Sequence, residues 1–410
     1  MKTPYFSVVI PTKNRSFLIG QAIRSVLAQS FRETELIIAD NDDTHATRQV
    51  VAEFGDPRLG YIRTGHLSMP DNWERGCQEA RGEFLVVLED KQVLKPNALA
   101  RVFEVAEKEQ PETIKWGCDT FEDEEWPPRL RRKKSPGGWR WRSTEELLRS
   151  FCEDWDGLYK STLPLPQHSA ISRGLRDRIK AGPMGRLFHP VTPDVILGLL
   201  QLNYTDRILE FHDALAVLAT IRLSNGRSLT LKGALGNQFR KELGGNDAIF
   251  YDRVPIKAIT VPGVIYNDFF HIRAKVQGRL ATQTLRWPKY YVECHQALRR
   301  SQELGVDMSR ELEAWREALC REPEQVRNEV ERIVAAESGT LTPGKALVKK
   351  LGRQLGIPQW GRYLKWLVRG KLMRHPDWCF SNAMEYLEWE TRQNERIKQA
   401  NPIVTGPISH

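Results

Sequence analysis

Residues 7–43 read SVVIPTKNRSFLIGQAIRSVLAQSFRETELIIADNDD, and this stretch decides the fold. An apolar run at 7–10, rich in β-branched residues, ends at Pro11 and predicts a short buried strand. Apolar residues then recur at helical spacing over 18–27, and a second apolar run at 35–39 ends in an acidic turn. A strand, a helix and a strand in this order predict a βαβ unit, which requires a parallel sheet.

The alternation of strand and helix patterns continues downstream of this unit. The apolar run at 84–88 predicts a further strand, the periodicity of 98–107 predicts a helix, and residues 114–118 are a third candidate strand. Residues 122–142 are charged, rich in Pro and Gly and without periodicity, which predicts a surface loop. We therefore expect an α/β sandwich over roughly residues 1–220, followed from about 235 by a mainly helical region.

The composition is that of a globular protein with a substantial core. The chain has 410 residues, of which 40% are hydrophobic and 28% are charged, so fibrous and mostly disordered classes are excluded. No stretch approaches the roughly 18 consecutive apolar residues of a membrane-spanning helix, and the first residues lack the pattern of a secretory signal. Six cysteines without a C-x-x-C pair argue against zinc sites and disulfide frameworks. We expect a cytoplasmic protein.

The net charge of +9 is unevenly distributed. Residues 1–127 contain 15 Lys and Arg against 22 Asp and Glu, whereas residues 344–375 interleave Lys and Arg with Leu, Trp and Tyr. This basic amphipathic segment has two interpretations: it lies on the anionic inner face of a membrane, or it packs its apolar side on the rest of the protein. No recognised nucleic-acid-binding module accompanies it, so we expect no nucleic-acid partner.

Polar turns follow three of the predicted strands, at residues 11–15, 40–43 and 89–92. Ligands of open parallel sheets bind where the carboxyl ends of the strands meet. Carboxylates at such a place can accept hydrogen bonds from a ribose or hold a divalent cation against a diphosphate. Three turns in one βαβαβ register favour a ligand site over ordinary solvated turns.

The segments SVVIPTKNR, QAIRSVLAQ, ELIIADNDD and DNWERGCQEARGEFLVVLEDKQVLKPNAL, with their spacing, resemble family 2 glycosyltransferases. The resemblance covers about residues 5–120, and 160–227 more loosely. It implies the GT-A fold, a nucleotide-binding α/β sandwich with a mostly parallel central sheet. It also implies a catalytic domain over 1–230, with a donor half at about 1–120 and an acceptor half at about 143–230, followed by the helical region 235–410.

The resemblance also implies a set of donor-binding residues. These are Pro11, Thr12, Asn14, Asp40, Asn72, Glu89, Asp90 and Lys91. Asp40 matches the acid that binds the nucleotide base, and residues 89–91 occupy the D-x-D position. Lys91 stands where the family has the acid that usually binds metal, so three interpretations stay open. Glu89 and Asp90 hold Mg²⁺ or Mn²⁺, with Asp90 as the metal ligand; Lys91 substitutes for the metal; or the site is degenerate.

The resemblance implies a transfer with inversion, which needs a base that deprotonates the acceptor hydroxyl. The residue matching the family's base is Asp194, which follows Thr192 and Pro193 at the start of an apolar helix. The alternative is that Thr192 caps this helix and Asp194 only complements its dipole. His168 and His189 are candidate acceptor contacts. The alternative for His168 is a structural histidine, and the alternatives for His189 are a third metal ligand and a polar loop residue.

The resemblance implies an inverting glycosyltransferase of the hexosyltransferase type. Its donor would be a nucleoside-diphosphate sugar, UDP-linked most often in this family. Its acceptor would be a hydroxyl of a saccharide or lipid-linked saccharide, as in the synthesis of a surface polysaccharide or glycoconjugate. The alternative function is a catalytically degenerate module that binds nucleotide or saccharide on the same fold, an interpretation that depends on Lys91.

Overall fold

The computed structural model describes residues 3–122, 129–133, 136–155, 157–219, 223–339, 383–385 and 387–388. Its strands are β1 Phe6–Thr12, β2 Thr34–Asp40, β3 Leu59–Arg63, β4 Phe84–Val87, β5 Gln92–Leu94, β6 Thr113–Glu122, β7 Arg129–Arg131, β8 Trp139–Ser143, β9 Ser169–Ser172 and β10 Arg207–Leu218. The basic amphipathic segment predicted at 344–375 lies outside the described residues.

The helices are interspersed with the strands up to β10 and follow one another after it. They are α1 Ser16–Leu27, α2 Ala46–Ala52, α3 Met69–Gln78, α4 Ala98–Glu109, α5 Thr144–Glu153, α6 Tyr159–Thr162, α7 Arg173–Ala181, α8 Pro193–Tyr204, α9 Asn225–Thr230, α10 Ala234–Glu242, α11 Val261–Arg273, α12 Arg279–Thr282, α13 Trp287–Glu303, α14 Ser309–Cys320 and α15 Glu324–Gly339. Among the residues described, no helix is long and apolar enough to cross a bilayer.

A ten-stranded sheet has the order β3-β2-β1-β4-β9-β6-β10-β5, with β7 beside β6 and β8 beside β10. Strand β1 pairs in parallel with β2 and β4, β2 pairs in parallel with β3, and β6 pairs in parallel with β10. Strand β9 is antiparallel to both β4 and β6, so β4 and β6 point the same way. The six strands that run in one direction are therefore β1, β2, β3, β4, β6 and β10. The prediction of an α/β fold with a mostly parallel central sheet and a helical C-terminal region is confirmed.

The prediction of a surface loop over 122–142 is wrong where the structure describes this segment, because β7 and β8 form within it. Strand β8 pairs antiparallel with β10. Trp139 and Trp141 pack against the core, while Arg140 and Arg142 form ion pairs with Glu210. The alternation of Trp and Arg is the period of a half-buried strand, and the surrounding Pro, Gly and charged residues conceal it.

Both faces of the sheet are buried. In β1, Val8 and Ile10 face the core cluster that includes α1 and α4, whereas Val9 faces the cluster that includes α3, α5 and α8. Successive side chains of a strand point to opposite faces, so a strand covered on both sides is continuously apolar. This explains the uninterrupted apolar runs that the sequence shows at 7–10 and 84–88.

The helical region shares a core with the α/β layers. Phe269 of α11 and Tyr290 of α13 are fully buried in the same cluster as Phe151 of α5 and Leu199 of α8. Helix α11 therefore packs directly on the layer that carries α8. The division of the chain into a catalytic domain and a separate helical region stays a prediction.

We expect Gly82→Ala to lower the free energy of unfolding by about 3 kcal/mol, measured by chemical denaturation. A Cβ at position 82 would lie 2.5 Å from the backbone nitrogen of Ser7, at the start of β1. Backbone atoms cannot move away without disturbing the pairing of β1 with β4. Gly55→Ala is the control, because a Cβ at position 55 meets no atom within 4 Å. Equal stability of the two variants would contradict this explanation.

Candidate active site

A cavity of about 360 Å³ opens at the carboxyl ends of β1 and β4. One side is formed by the turn after β1, by α3 and by residues 89–91 after β4. The other side is formed by the first turn of α8 together with α9, α10 and α11. The predicted residues that line it are Pro11, Thr12, Asn14, Asn72, Glu89, Asp90, Lys91 and Asp194. Their functional roles stay predictions.

Asp90 joins the turns after β1 and β4. Its carboxylate accepts a hydrogen bond of 2.9 Å from the hydroxyl of Thr12, and the Arg15 guanidinium lies 3.5 Å away. The side chain is almost fully buried, and burial raises the pKa of Asp90 although Arg15 and Thr12 favour its ionised form. Asp90 therefore already has a cation and a hydroxyl as partners.

Glu89 and Lys91 form an ion pair next to Asp90. The Lys91 ammonium lies 3.3 Å from the Glu89 carboxylate. Burial alone would raise the pKa of Glu89, but the charge of Lys91 holds the pKa below its usual range. The position at which the family resemblance implies a metal-binding acid thus carries the Lys91 ammonium, which neutralises the charge of Glu89.

Asp194 faces these groups from the first turn of α8. Gln167 donates hydrogen bonds from Nε2 to Asp194 at 3.1 Å and to Glu89 at 3.4 Å, so it bridges the two sides of the cavity. Burial raises the pKa of Asp194, and the negative charge of Glu89 adds to the effect. Thr192 occupies the N-cap position of α8, but its side chain makes no capping hydrogen bond.

Two asparagines connect the turns on the donor side. Asn14, whose φ of 53° is left-handed, donates its side-chain amide to Asp43 at 2.7 Å and its backbone amide to Asp42. Asn72 of α3 donates to the backbone carbonyls of Thr12 and Ala39 at 3.5 and 3.4 Å. These contacts fix the turn after β1 against the end of β2.

Lys13 and Arg15, which also line the cavity, contact the region after β10. Lys13 forms a 2.9 Å ion pair with Glu242 of α10, and Arg15 donates a 2.7 Å hydrogen bond to the carbonyl of Leu223. Sequence reasoning did not select Lys13, Arg15, Gln167 or Glu242. Lys13 and Arg15 belong to the turn at 11–15, which the sequence analysis singled out, and Gln167 directly precedes the predicted residue His168. No local sequence pattern indicates Glu242.

Three predicted residues do not line the cavity. Asp40 has no exposed surface and accepts hydrogen bonds from the Tyr61 hydroxyl at 2.6 Å and the Asp42 amide at 2.8 Å. His168 contacts the thiol of Cys118 at 2.9 Å, and His189 contacts the Arg186 carbonyl at 3.1 Å. Burial lowers the pKa of both histidines to about 4, so both are neutral at pH 7.

The residues at the D-x-D position do not fit a divalent cation well. Glu89 is paired with Lys91, and Asp90 is paired with Arg15. Within the described part of the chain, no group of three or more His, Cys, Asp or Glu side chains is placed to hold a metal ion. A cation at this place would have to compete with two fixed positive charges.

Comparisons with known proteins show that part of the α/β region is similar to one family. The sequence model of glycosyl transferase family 2 matches residues 7–161. The GalNAc(5)-diNAcBac-PP-undecaprenol β-1,3-glucosyltransferase of Campylobacter jejuni is 32% identical over 107 residues, 25% of this chain and 35% of that protein. The succinoglycan biosynthesis protein ExoO of Rhizobium meliloti is 31% identical over 107 residues, 26% of this chain and 31% of that protein.

The chain spans about a third of the length of these relatives. Among solved structures, TarS 1–349 of S. aureus is similar with a TM-score of 0.45 and 13% identity, over 76% of this chain and 89% of that one. The segment that the family model matches contains β1 to β8 and the turns at 11–15, 40–43 and 89–92. Residues 7–161 of this chain thus resemble glycosyl transferase family 2.

Proposed function

We propose that the protein is an inverting glycosyltransferase. It would transfer a sugar from a nucleoside-diphosphate donor, UDP-linked as the family resemblance implies, to a hydroxyl of a saccharide or lipid-linked saccharide. Such a product belongs to the synthesis of a surface polysaccharide or glycoconjugate. The observation that carries this proposal is a single cavity in which Asp194 faces Glu89, Asp90 and Lys91 across Gln167.

Asp194 is the proposed general base. Its carboxylate would accept the proton of the acceptor hydroxyl while the acceptor oxygen forms a bond to the anomeric carbon. The bond from that carbon to the diphosphate oxygen breaks on the opposite face, and its electron pair leaves with the diphosphate. Attack and departure on opposite faces invert the anomeric configuration.

The cations of the cavity are proposed to stabilise the leaving diphosphate. Lys91, Arg15 and Lys13 all line the cavity, and each lies beside a carboxylate. Positive charges held in a partly buried site stabilise negative charge that develops in the transition state. This arrangement favours Lys91 as the substitute for a metal ion, since Glu89 and Asp90 are already paired.

We propose that the protein acts at the cytoplasmic side of a membrane when its acceptor is lipid-linked. The Campylobacter relative is named for a polyprenol-linked substrate, which supports an acceptor of this class. The basic segment at 344–375 has the composition of a peripheral anchor for anionic lipid. Binding of the full chain to anionic but not neutral vesicles would test this placement.

A binding module without catalytic activity is the second candidate function. The ion pair of Lys91 with Glu89 favours it, because a family acid that usually binds metal is absent. Transfer or hydrolysis of the donor separates the two functions: nucleotide binding without either reaction would favour the module. Absence of binding to UDP, GDP and dTDP, with and without Mn²⁺, would exclude both the proposed transferase and a module that binds nucleotide.

We expect UDP to bind without a divalent cation, so that EDTA changes the Kd in calorimetric titration less than about 2-fold. Lys91→Met should weaken binding about 10-fold, since it removes a buried charge partner of the diphosphate. Lys95→Met is the control, because Lys95 pairs with Asp119 at 2.6 Å and does not line the cavity. Binding that requires Mn²⁺ and tolerates Lys91→Met would contradict substitution of the metal.

Glu242→Gln should strengthen UDP binding about 3-fold, because Glu242 competes with the phosphates for Lys13. The matched control is Glu311→Gln, which removes a carboxylate paired with Lys232 at the same distance of 2.9 Å but away from the cavity. Titration of the three proteins at one salt concentration checks the difference. Weaker binding by Glu242→Gln would mean that this carboxylate supports the donor site.

Asp194→Asn should lower kcat about 10³-fold and leave the affinity for UDP unchanged. The base must be ionised, and its pKa is raised by burial and by Glu89. Activity should therefore fall, on acidification, at a higher pH than the ordinary Asp value of about 4. The pH dependence of kcat measures this limb, and a kcat for Asp194→Asn close to that of the wild type would exclude Asp194 as the base.

A further inference from the structure

Asp268 of α11 holds the turn that precedes α8. One oxygen of its carboxylate, Oδ2, accepts three hydrogen bonds from this turn. The donors are the backbone amide of Val191 at 3.0 Å, the backbone amide of Thr192 at 2.7 Å and the Thr192 hydroxyl at 2.6 Å. The Thr192 hydroxyl thus donates its hydrogen bond to a carboxylate 76 residues further along the chain and does not cap its own helix.

The environment of Asp268 shows that this contact is costly to lose. The side chain is 2% exposed, and Val191 is also buried. An amide left without an acceptor at such a place carries the full cost of its desolvation. Burial raises the pKa of Asp268 to about 6, while the three donors of the turn favour the ionised form.

The turn held by Asp268 belongs to the wall of the cavity. Val191, Thr192 and Asp194 all line it, and Asp194 follows Thr192 by two residues. Pro193 lies between them with a fixed φ, so the orientation of the turn is transmitted to the start of the helix. Gln167 contacts the Asp194 carboxylate from the other side.

We infer that Asp268 is a positioning residue for Asp194, which places the carboxylate of Asp194 by anchoring the turn at 191–192. The anchoring of the turn by Asp268 is supported by the hydrogen bonds alone, whereas its effect on the reaction rate rests on the proposed function. Helix α11 lies outside the segment that matches the family, so this role makes the helical region part of the active site. A base displaced by about 1 Å loses on the order of 100-fold in rate.

The test compares Asp268→Ala with Asn267→Ala. Asn267 is the adjacent residue of α11 and is also 2% exposed. Its side chain accepts from the Arg253 amide at 2.7 Å and donates to the Ile249 carbonyl at 2.9 Å, far in sequence from α8. Both variants remove a buried polar side chain from the same helix, so thermal melting should show similar losses of stability.

Hydrogen exchange measures the anchoring directly. Residues 190 and 193 are prolines, so Val191 and Thr192 supply the only amide hydrogens of the segment 190–193. We expect Asp268→Ala to speed their exchange at least about 10-fold and Asn267→Ala to leave it unchanged. Equal exchange of these two amides in all three proteins would overturn the inference.

Steady-state kinetics tests the effect on the base. Asp268→Ala should lower kcat about 10- to 100-fold with an unchanged Kd for UDP, and Asn267→Ala should keep the wild-type kcat. An equal loss of kcat in both variants would assign Asp268 a merely structural role and overturn the inference. A wild-type protein that neither transfers nor hydrolyses any donor would refute the proposed function, while the exchange measurement still decides whether Asp268 holds the turn.

Asp268→Asn replaces the alanine variant if that protein does not fold. The amide oxygen is a neutral and therefore weaker acceptor than the carboxylate. Exchange of the two amides faster than in the wild type, together with a lower kcat, supports the inference. Wild-type values for both would overturn it.

Discussion

The hydrogen bond from Thr12 to Asp90 connects two residues that are 78 positions apart, and the cavity depends on the strand adjacency that makes it possible. Strands β1 and β4 lie side by side in parallel. Gly82 lets the chain pass close to Ser7 where this pairing starts. Because parallel neighbours end at the same edge of a sheet, the turns that follow β1 and β4 must meet there. Both strands are covered on both faces, so a shift in register would misfit their apolar side chains against both packed layers.

The charges around the cavity are arranged in pairs. Of the lining residues that the structure describes, Lys13, Arg15 and Lys91 each lie beside a carboxylate. Two of those carboxylates follow β4, whereas the third, Glu242, comes from α10. An anionic ligand would therefore replace an internal carboxylate with its own phosphate as the partner of a cation. Of the three carboxylates, Glu242 is the one that lies outside the turn after β4. A divalent cation would instead have to displace the fixed charges of Lys91 and Arg15.

The parts that sequence reasoning predicted correctly are those encoded by local patterns. The apolar runs at 7–10 and 84–88 are strands, and the turns after them line one cavity, because hydrophobic periodicity and strand ends can be identified within a few residues. Asp40 and His168 lie outside the cavity lining for reasons that are not local. Asp40 is buried and accepts a hydrogen bond from the hydroxyl of Tyr61. Next to His168 in the sequence, Gln167 is the residue whose side chain lines the cavity and contacts Asp194. Whether a polar side chain lines the cavity or is buried beside it depends on its partners from other elements.

The contacts of the helical region indicate that different parts of the chain bind the donor and the acceptor. Its residues contact the turn after β1 through Glu242 and the turn before α8 through Asp268. Its apolar side chains, Phe239, Val264 and Ile265 among them, form the wall opposite the family-matched turns. The matched segment ends at residue 161, before the base candidate and before this wall. We therefore expect the donor to be bound by elements that match the family, and the acceptor to be selected by α8 to α11, which lie outside the matched segment.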